Sequence, residues 1–287
     1  EPFDEMTLSF LFNKGMLHMD DISMTRGESM GFQANGILPL ANNHVGKTPI
    51  SLTSTFSNLS LQFIHKFIPK FFTLGGDLSG SFHLKGIPKK TQFTYDFDVK
   101  NGLFDSIELG HVIGKGSYDG RRLFVEKVEA NHPDGKITVQ GSVPFDFNIN
   151  SSSIGRLFPG DSLDFHALAQ LGSLPFLTPY IADLDSVRGD IDISLSLTGS
   201  VESIQRSGYI KVKNGEIYTL LTADPATSLE GEAFMNHNQL IIQNLVTTLY
   251  HSNGKYPKPK KQNTTLSGSI DFTQFFNPGY DLHLKGK

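Results

Sequence analysis

The sequence predicts an all-β fold: one long, continuous antiparallel sheet, curled into a gutter and built from repeats of about 113 residues, with short helical plugs. Three observations predict it. A long stretch of sequence recurs at a fixed interval, and apolar and polar side chains alternate with a period of two. Asn-Gly and Asp-Gly dipeptides, which favour tight turns, follow the alternating runs.

The recurring stretch is Gly76–Phe104, GDLSGSFHLKGIPKKTQFTYDFDVKNGLF. It returns without a gap as Gly189–Ile217, GDIDISLSLTGSVESIQRSGYIKVKNGEI. The sequence Val-Lys-Asn-Gly at 99–102 is identical at 212–215. A fixed internal period is typical of repeat proteins, in which each unit buries its apolar face against its neighbour.

The interval divides the 287 residues into three parts of one continuous sheet. Residues 1–49 are expected to end a preceding repeat, residues 50–160 to form repeat A, and residues 161–287 to form repeat B and the start of a further repeat. Because the chain begins without Met and stops within an alternating pattern, we expect it to be a fragment of a longer protein.

Alternation with a period of two is the pattern of a strand with one apolar and one polar face. In both copies of the repeat, one strand face carries only apolar side chains and the other carries Ser, Thr, Asp, His and Lys. The residues predicted to line a shared apolar groove are Leu78, Phe82, Leu84, Phe93, Phe97, Val99, Ile191, Ile193, Leu195, Leu197, Ile210 and Val212.

Turns are expected at four dipeptides, because Asn, Asp and Gly tolerate positive φ. They are Asn101-Gly102, Asn214-Gly215, Asp119-Gly120 and Asp134-Gly135. Two segments break the strand pattern around a proline, at 58–74 and 173–184, and each is expected to be a short helix or irregular plug. Residues 251–262, rich in Pro, Gly and Lys, are expected to form a loop.

Composition argues against several classes of function. A formal charge of −4 gives no reason to expect a nucleic-acid partner, and without cysteine there is no thiolate ligand or cysteine nucleophile. His18 and Asp20 share a strand face, but no second cluster completes a metal shell, so a solvated strand face is favoured. His132 and Asp134 lie in a turn sequence. We expect neither an enzyme nor a cofactor.

The apolar face has two interpretations. It is either the core of an ordinary β-sandwich or the lining of a long groove. Composition favours the groove mildly, because the apolar strand faces are continuous and few helices are available to cover them. Such a groove would bury acyl chains, with a gain of about 0.8 kcal/mol for each CH₂ group.

The pattern G-D-L-x-G-x-x-x-L-x-G…V-K-N-G at 76–102 resembles the repeats of TamB and the wider AsmA-like proteins. The second copy keeps it, except that Ile191 replaces the Leu and Ile193 replaces the middle Gly. The resemblance implies a U-shaped β-taco groove with an apolar interior. It also implies a location in the periplasm of a diderm bacterium, with the full-length protein anchored in the inner membrane by a segment missing here.

The function that the resemblance implies is that of a periplasm-spanning bridge, whose groove conducts phospholipids between the inner and outer membranes by binding their acyl chains. The alternative is a scaffold or chaperone that assists the assembly of outer-membrane proteins by pairing its sheet edges with their strands. A TamA-like outer-membrane barrel is the partner expected from the resemblance.

Overall fold

The computed structural model confirms an all-β, antiparallel fold with almost no helix. It describes residues 4–27, 30–39, 49–62, 73–87, 90–104, 107–146, 156–158, 160–174, 183–200, 202–220, 224–250, 261–273 and 278–286. Strands account for 86% of these residues, which leaves only turns and short connections between them.

Seventeen strands occur in the described part of the chain. They are β1 (Glu5–Asn13), β2 (Met16–Arg26), β3 (Met30–Pro39), β4 (Ile50–Ser60), β5 (Leu74–Ile87), β6 (Lys90–Phe104), β7 (Ile107–Tyr118), β8 (Arg122–His132), β9 (Gly135–Asp146), β10 (Arg156–Leu157), β11 (Ser162–Ser173), β12 (Leu184–Ser200), β13 (Ser203–Thr219), β14 (Ala226–Asn236), β15 (Gln239–Thr248), β16 (Thr264–Asp271) and β17 (Gly279–Gly286).

The chain divides into two compact units. Unit 1 consists of Glu1–Asn131, Val139–Leu163 and Ser200–Glu202. Unit 2 consists of His132–Thr138, Asp164–Gly199 and Ser203–Lys287. In unit 1 each strand from β1 to β8 pairs antiparallel with the next one along the chain. The strands from β13 to β17 pair in the same way in unit 2, so the predicted meander is confirmed in both sets of strands.

The prediction of turns at the two Asn-Gly dipeptides is wrong. Strand β6 runs through Asn101-Gly102 and strand β13 runs through Asn214-Gly215. Both asparagines do have positive φ, 53° at Asn101 and 51° at Asn214, but the register only shifts there and the chain does not reverse. Each dipeptide is therefore a β-bulge, which inserts an extra residue into one strand and keeps the strand going.

The two Asp-Gly turns are confirmed. Asp119-Gly120 connects β7 to β8, and the Asp119 carboxylate accepts hydrogen bonds from the backbone amides of Arg121 and Arg122. At the other turn, between β8 and β9, the Asp134 amide donates to the His132 ring. This short loop is what the sequence predicts for His132 and Asp134, in place of a metal site.

Strands in the two units start and stop at related places. Adding 113 to the last residue of β5, Ile87, gives Ser200, the last residue of β12. Adding 113 to the first residue of β6, Lys90, gives Ser203, the first residue of β13. The backbone agrees as well: φ is 119° at Gly76 and 135° at the related Gly189.

The central parts of both predicted plugs, at 63–72 and 175–182, lie outside the described residues, as does most of the predicted loop, at 251–260. The first plug does not begin at residue 58 as expected, because β4 continues to Ser60. A bulge with φ of 47° at Asn58 lets the strand continue.

Each unit has its own apolar cluster. In unit 1 it is centred on Ile50, Leu84, Phe93 and Tyr118, all buried. In unit 2 it is larger, and its buried members are Leu171, Leu174, Val187, Ile191, Val212 and Leu229.

Candidate apolar binding face

Strand register aligns apolar side chains into continuous rows across unit 1. Residues directly opposite each other in a sheet share a face, so a chain of register partners traces one line over the surface. Three such lines cross all eight strands from β1 to β8. They are Met6, Met24, Phe32, Phe56, Gly80, Phe97, Gly114, Val128; Leu8, Ile22, Ala34, Ser54, Phe82, Tyr95, Gly116, Val125; and Phe10, Met19, Gly36, Leu52, Leu84, Phe93, Tyr118, Leu123.

These three lines form what we call the apolar face of unit 1. Ser54 is its only polar residue apart from the two tyrosines. At about 4.8 Å per strand, the seven spacings between eight strands make the face roughly 34 Å wide. The bulge at Asp20-Asp21 is needed for this alignment, because it places both Met19 and Ile22 on the apolar side although they are three residues apart.

Strands β13 to β17 carry a similar arrangement in unit 2. One line of register partners is Ile210, Ala233, Ile242, Gly268 and Leu282, and a second is Gly208, Met235, Leu240, Ile270 and Tyr280. Both lines are apolar apart from the tyrosine at the end of the second.

A cavity of about 400 Å³ lies on the apolar face of unit 1. Its lining includes Phe56, Leu61, Leu74, Gly75, Leu78, Ser81, Phe82, Tyr95, Asp96, Phe97, Val99, Gly102, Leu103, Leu109 and Val112. Leu103 is 43% exposed, so the cavity reaches solvent at this side chain. We call it the unit 1 pocket.

The six groove residues predicted in unit 1 fall into two groups. Four of them line the pocket: Leu78, Phe82, Phe97 and Val99. The other two, Leu84 and Phe93, belong to the buried cluster with Ile50 and Tyr118. All six lie on the predicted face, but one end of that face is packed against protein.

The six predicted in unit 2 are distributed differently. Ile191 and Val212 are buried in the cluster of unit 2, and Ile193 and Ile210 pack against it. Leu195 and Leu197 are only partly buried. In unit 2 the residues related to Leu74 and Gly75 are Val187 and Arg188, and they line a cavity of about 430 Å³ whose other lining residues are mostly polar: Asp134, Gly172, Ser173, Asp185 and Ser186.

Three aromatic rings stand in a line along β6. The Tyr95 and Phe97 rings are stacked with centroids 6.3 Å apart, and the Phe93 ring stacks on Tyr118 at 5.0 Å. The Tyr95 hydroxyl donates to the Phe124 carbonyl at 3.2 Å. Burial, and to a lesser extent the charge of Glu126, raises the pKa of Tyr95 above its usual value, so the phenol stays neutral at physiological pH.

Several pocket residues were missing from the prediction. Leu74, at the start of β5, and Leu103, near the end of β6, lie at the same end of this antiparallel pair, while Leu109 and Val112 lie on β7. Val112 could have been found, because it alternates correctly with its neighbours. The others depend on bulges, which change the side to which a residue points.

The opposite face of the same sheet is polar. Asp98 on β6 contacts His111 on β7 at 2.9 Å, and Lys115 on β7 contacts Glu126 on β8 at 3.4 Å. All four side chains are about half exposed, so these cross-strand pairs contribute little to stability. Their main effect is to make the sheet amphipathic, with one wet and one apolar face.

Two strands are exposed along their whole length. All nine residues of β1 are exposed, including Met6, Leu8, Phe10 and Phe12 at 51–61%. All eight residues of β17 are exposed as well. In the described part of the chain β1 is paired in register with β2, and β17 with β16.

Within the part of the chain that the structure describes, no three His, Asp or Glu side chains gather closely enough to hold a metal ion. Nor do these residues contain a helix with the length and apolarity needed to cross a bilayer. Comparison of the chain with protein-family models, with curated proteins and with solved structures found no match.

Proposed function

We propose that this chain conducts phospholipids, and that its apolar face carries their acyl chains from one membrane toward another. The observation that carries the proposal is the set of apolar rows that crosses eight strands of unit 1 with one serine among them. The part of this face that protein leaves uncovered, which includes Phe56, Phe82 and Phe97, would favour aggregation in water unless something covers it. The resemblance to TamB and AsmA-like proteins supports transport between the inner and outer membranes, through the periplasm.

The chemistry of the face suits hydrocarbon and offers little to a headgroup. Each buried CH₂ gains about 0.8 kcal/mol, so a long acyl chain is held by many small, non-directional contributions. Phe82 and Phe97 are only partly covered by protein and remain available for such contacts. Apart from Asp96 at the pocket, the charged residues that pair across β6, β7 and β8 lie on the other face. Transport on this face would therefore depend weakly on the headgroup.

Two measurements test this function. Native mass spectrometry after expression in a diderm bacterium should show co-purified phospholipid, and a fluorescence assay should show transfer of labelled phospholipid between vesicles. Phe82→Asp should lower both, since it places a charge in the middle of the apolar face. Thr94→Asp, at an exposed position on the opposite face of the neighbouring strand β6, should leave both unchanged. Lipid-free protein without transfer activity would contradict the proposal.

A second function, scaffolding of outer-membrane proteins, is favoured by a different observation. Strand β1 exposes all nine of its residues, and a strand with one paired edge can add a partner strand by backbone hydrogen bonds. Photo-crosslinking from Ser9 in cells should then trap an outer-membrane client, while Leu8→Pro should abolish the crosslink. Absence of a client crosslink, together with bound lipid, would favour the conduit alone.

A further inference from the structure

The two units differ at the bulge within their shared Val-Lys-Asn-Gly sequence. In unit 1, Gly102 pairs with Gly110 across β6 and β7. In unit 2, the related Gly215 pairs with Leu229 across β13 and β14. The first pair has no side chain, whereas the second contributes a leucine.

In unit 2, side chains of the protein itself fill the space next to this bulge. Leu229 is 3% exposed and belongs to the buried cluster that includes Val187, Ile191 and Val212. These last three residues correspond, at an offset of 113, to Leu74, Leu78 and Val99 of unit 1. The equivalent site in unit 2 is thus a closed aliphatic core.

Unit 1 has a cavity of about 400 Å³ in the same place. Leu74, Leu78 and Val99 line it, together with the bulge glycine Gly102. A β-carbon added at Gly102 would lie 3.0 Å from Val112, so that side chain already occupies the little room next to the backbone. The remaining space is available to a ligand.

We propose that the unit 1 pocket holds a single lipid hydrocarbon chain, and that unit 2 has no such holding site. Aliphatic side chains fill the related site in unit 2, which indicates the kind of group that fits. Among the described residues that line the pocket there is no cation, and the one charged residue, Asp96, accepts a hydrogen bond from Ser81. A carboxylate or phosphate headgroup therefore stays outside, near Leu103. The proposal rests on the lipid-conducting function, and adds that one hydrocarbon chain of the lipid is retained at a defined place in the protein.

The absence of tryptophan from the chain allows a direct test. Leu103→Trp places a single fluorophore at the rim of the pocket, and Leu220→Trp places one just after β13 in unit 2, where Leu220 is 75% exposed. Brominated stearic acid quenches a tryptophan only at contact range. We expect saturable quenching of Leu103→Trp with one ligand per chain, and no saturable quenching of Leu220→Trp.

Competition identifies what occupies the pocket. Palmitate should relieve the quenching and butyrate should not, because only a long chain buries enough CH₂ groups to compete. The hydrocarbon chain could come from a free fatty acid or from a phospholipid, and repeating the titration with a brominated phosphatidylcholine separates the two. Equal quenching by both ligands indicates that the pocket accepts the acyl chain of either one. Quenching by the fatty acid alone limits the site to free fatty acids. If Leu103→Trp fails to fold, as judged by its thermal melt, Leu109→Trp on the pocket wall replaces it.

Equal quenching of both tryptophans, or none at the pocket, would overturn the holding site. These outcomes are distinct from failure of the proposed function. If the protein transfers phospholipid between vesicles but Leu103→Trp is not quenched, the proposed function stands and the holding site is refuted. If Leu103→Trp is quenched by the brominated fatty acid but the protein does not transfer phospholipid, the holding site stands and the proposed function is refuted.

Discussion

Leu197 offers a way to decide whether the apolar side of β12 is open or covered. It lies six residues after Ile191 on the same strand, so period-two alternation places the two side chains on one face. Leu197 is partly buried, whereas Ile191 is only 2% exposed. Replacing each with Arg therefore applies the same charge to an open and to a closed part of the face.

The expected costs differ by several kcal/mol. Full burial of a leucine is worth about 1.5–3 kcal/mol, so a partly buried Leu197 should lose roughly 1–2 kcal/mol when its packing is removed. Its Arg replacement can extend the charged end to water along an apolar stem. At Ile191 the loss of a buried side chain costs about 2–5 kcal/mol. A guanidinium without a partner adds several kcal/mol, enough to consume the roughly 5–15 kcal/mol that stabilises a typical domain.

We expect Leu197→Arg to retain a cooperative urea transition, and Ile191→Arg to be insoluble or to lack one. Lipid extracted from purified Leu197→Arg should fall clearly below that from the unchanged chain. If both variants unfold, Leu197 is covered by protein and a β-sandwich is the better description. If Leu197→Arg folds and still carries its full complement of lipid, the acyl path does not pass this residue.

Three further changes test the structure. Gly76→Ala should lower stability by about 1–3 kcal/mol in a urea titration, because φ is 119° and the new β-carbon would lie 2.7 Å from a carbonyl oxygen. Asp161→Asn should lower the melting temperature at pH 7 by removing the ion pair with Arg121, whose atoms approach to 2.6 Å. Hydrogen bonding by Arg121 holds the pKa of Asp161 below 3.8, so the difference between variant and unchanged chain should shrink as pH falls through that lowered pKa. Gly114→Ala should destabilise by about 1–3 kcal/mol through a clash with the Phe97 ring, and adding Phe97→Ile should recover part of the loss.

Each of these has a control in the chain. Gly160→Ala should be neutral, since no heavy atom lies within 4 Å of its added β-carbon, and a loss like that of Gly76→Ala would undermine the strain argument. A gap between Asp161→Asn and the unchanged chain that stays constant as the pH is lowered would show that the ion pair is not its cause. Additive effects at Gly114 and Phe97 would mean that the two do not compete for space.

Alternation was sufficient to predict the strands and their faces, because side-chain direction depends only on the local period of two. It could not predict where bulges lie. Asn101-Gly102 shows why: a turn and a bulge both require a residue that accepts positive φ, so the dipeptide reports conformational tolerance and not the course of the chain. Whether the strand reverses or continues depends on its pairing partners, Gly110 and Val112 of β7, which a local pattern does not contain.

The unit 1 pocket could not be predicted from the sequence, for a related reason. Its apolar lining was predictable at Leu78 and Val99, but the register pair of two glycines at the bulge, Gly102 and Gly110, was not. One glycine of that pair, Gly102, belongs to the recurring sequence and has an identical relative in unit 2. The two units differ in the other partner, Gly110 or Leu229, and in the opposite sense at the neighbouring pair, where Val112 of unit 1 is replaced by Gly231 of unit 2. These partners lie on strands where the two units no longer match at an offset of 113.

Register pairs show that the two units keep a similar summed side-chain volume where their residues differ. Phe97 pairs with Gly114 in unit 1, and Ile210 pairs with Ala233 in unit 2. One large and one very small residue have become one medium and one small residue. The Phe97 ring occupies the space beside Gly114, since a β-carbon there would lie 2.3 Å from the ring.

The neighbouring register pair also combines one large and one small residue, but the strands that carry them are exchanged between the units. Tyr95 on β6 faces Gly116 on β7, while Gly208 on β13 faces Met235 on β14. The large side chain has moved to the other strand, and the glycine has moved with it. The offset from Gly116 to Met235 is 119 and the offset from Tyr95 to Gly208 is 113, so residue-by-residue comparison loses the relation between β7 and β14. Because close packing constrains the summed volume of a pair and not the identity of either member, the thickness of the apolar layer can persist after sequence similarity has faded.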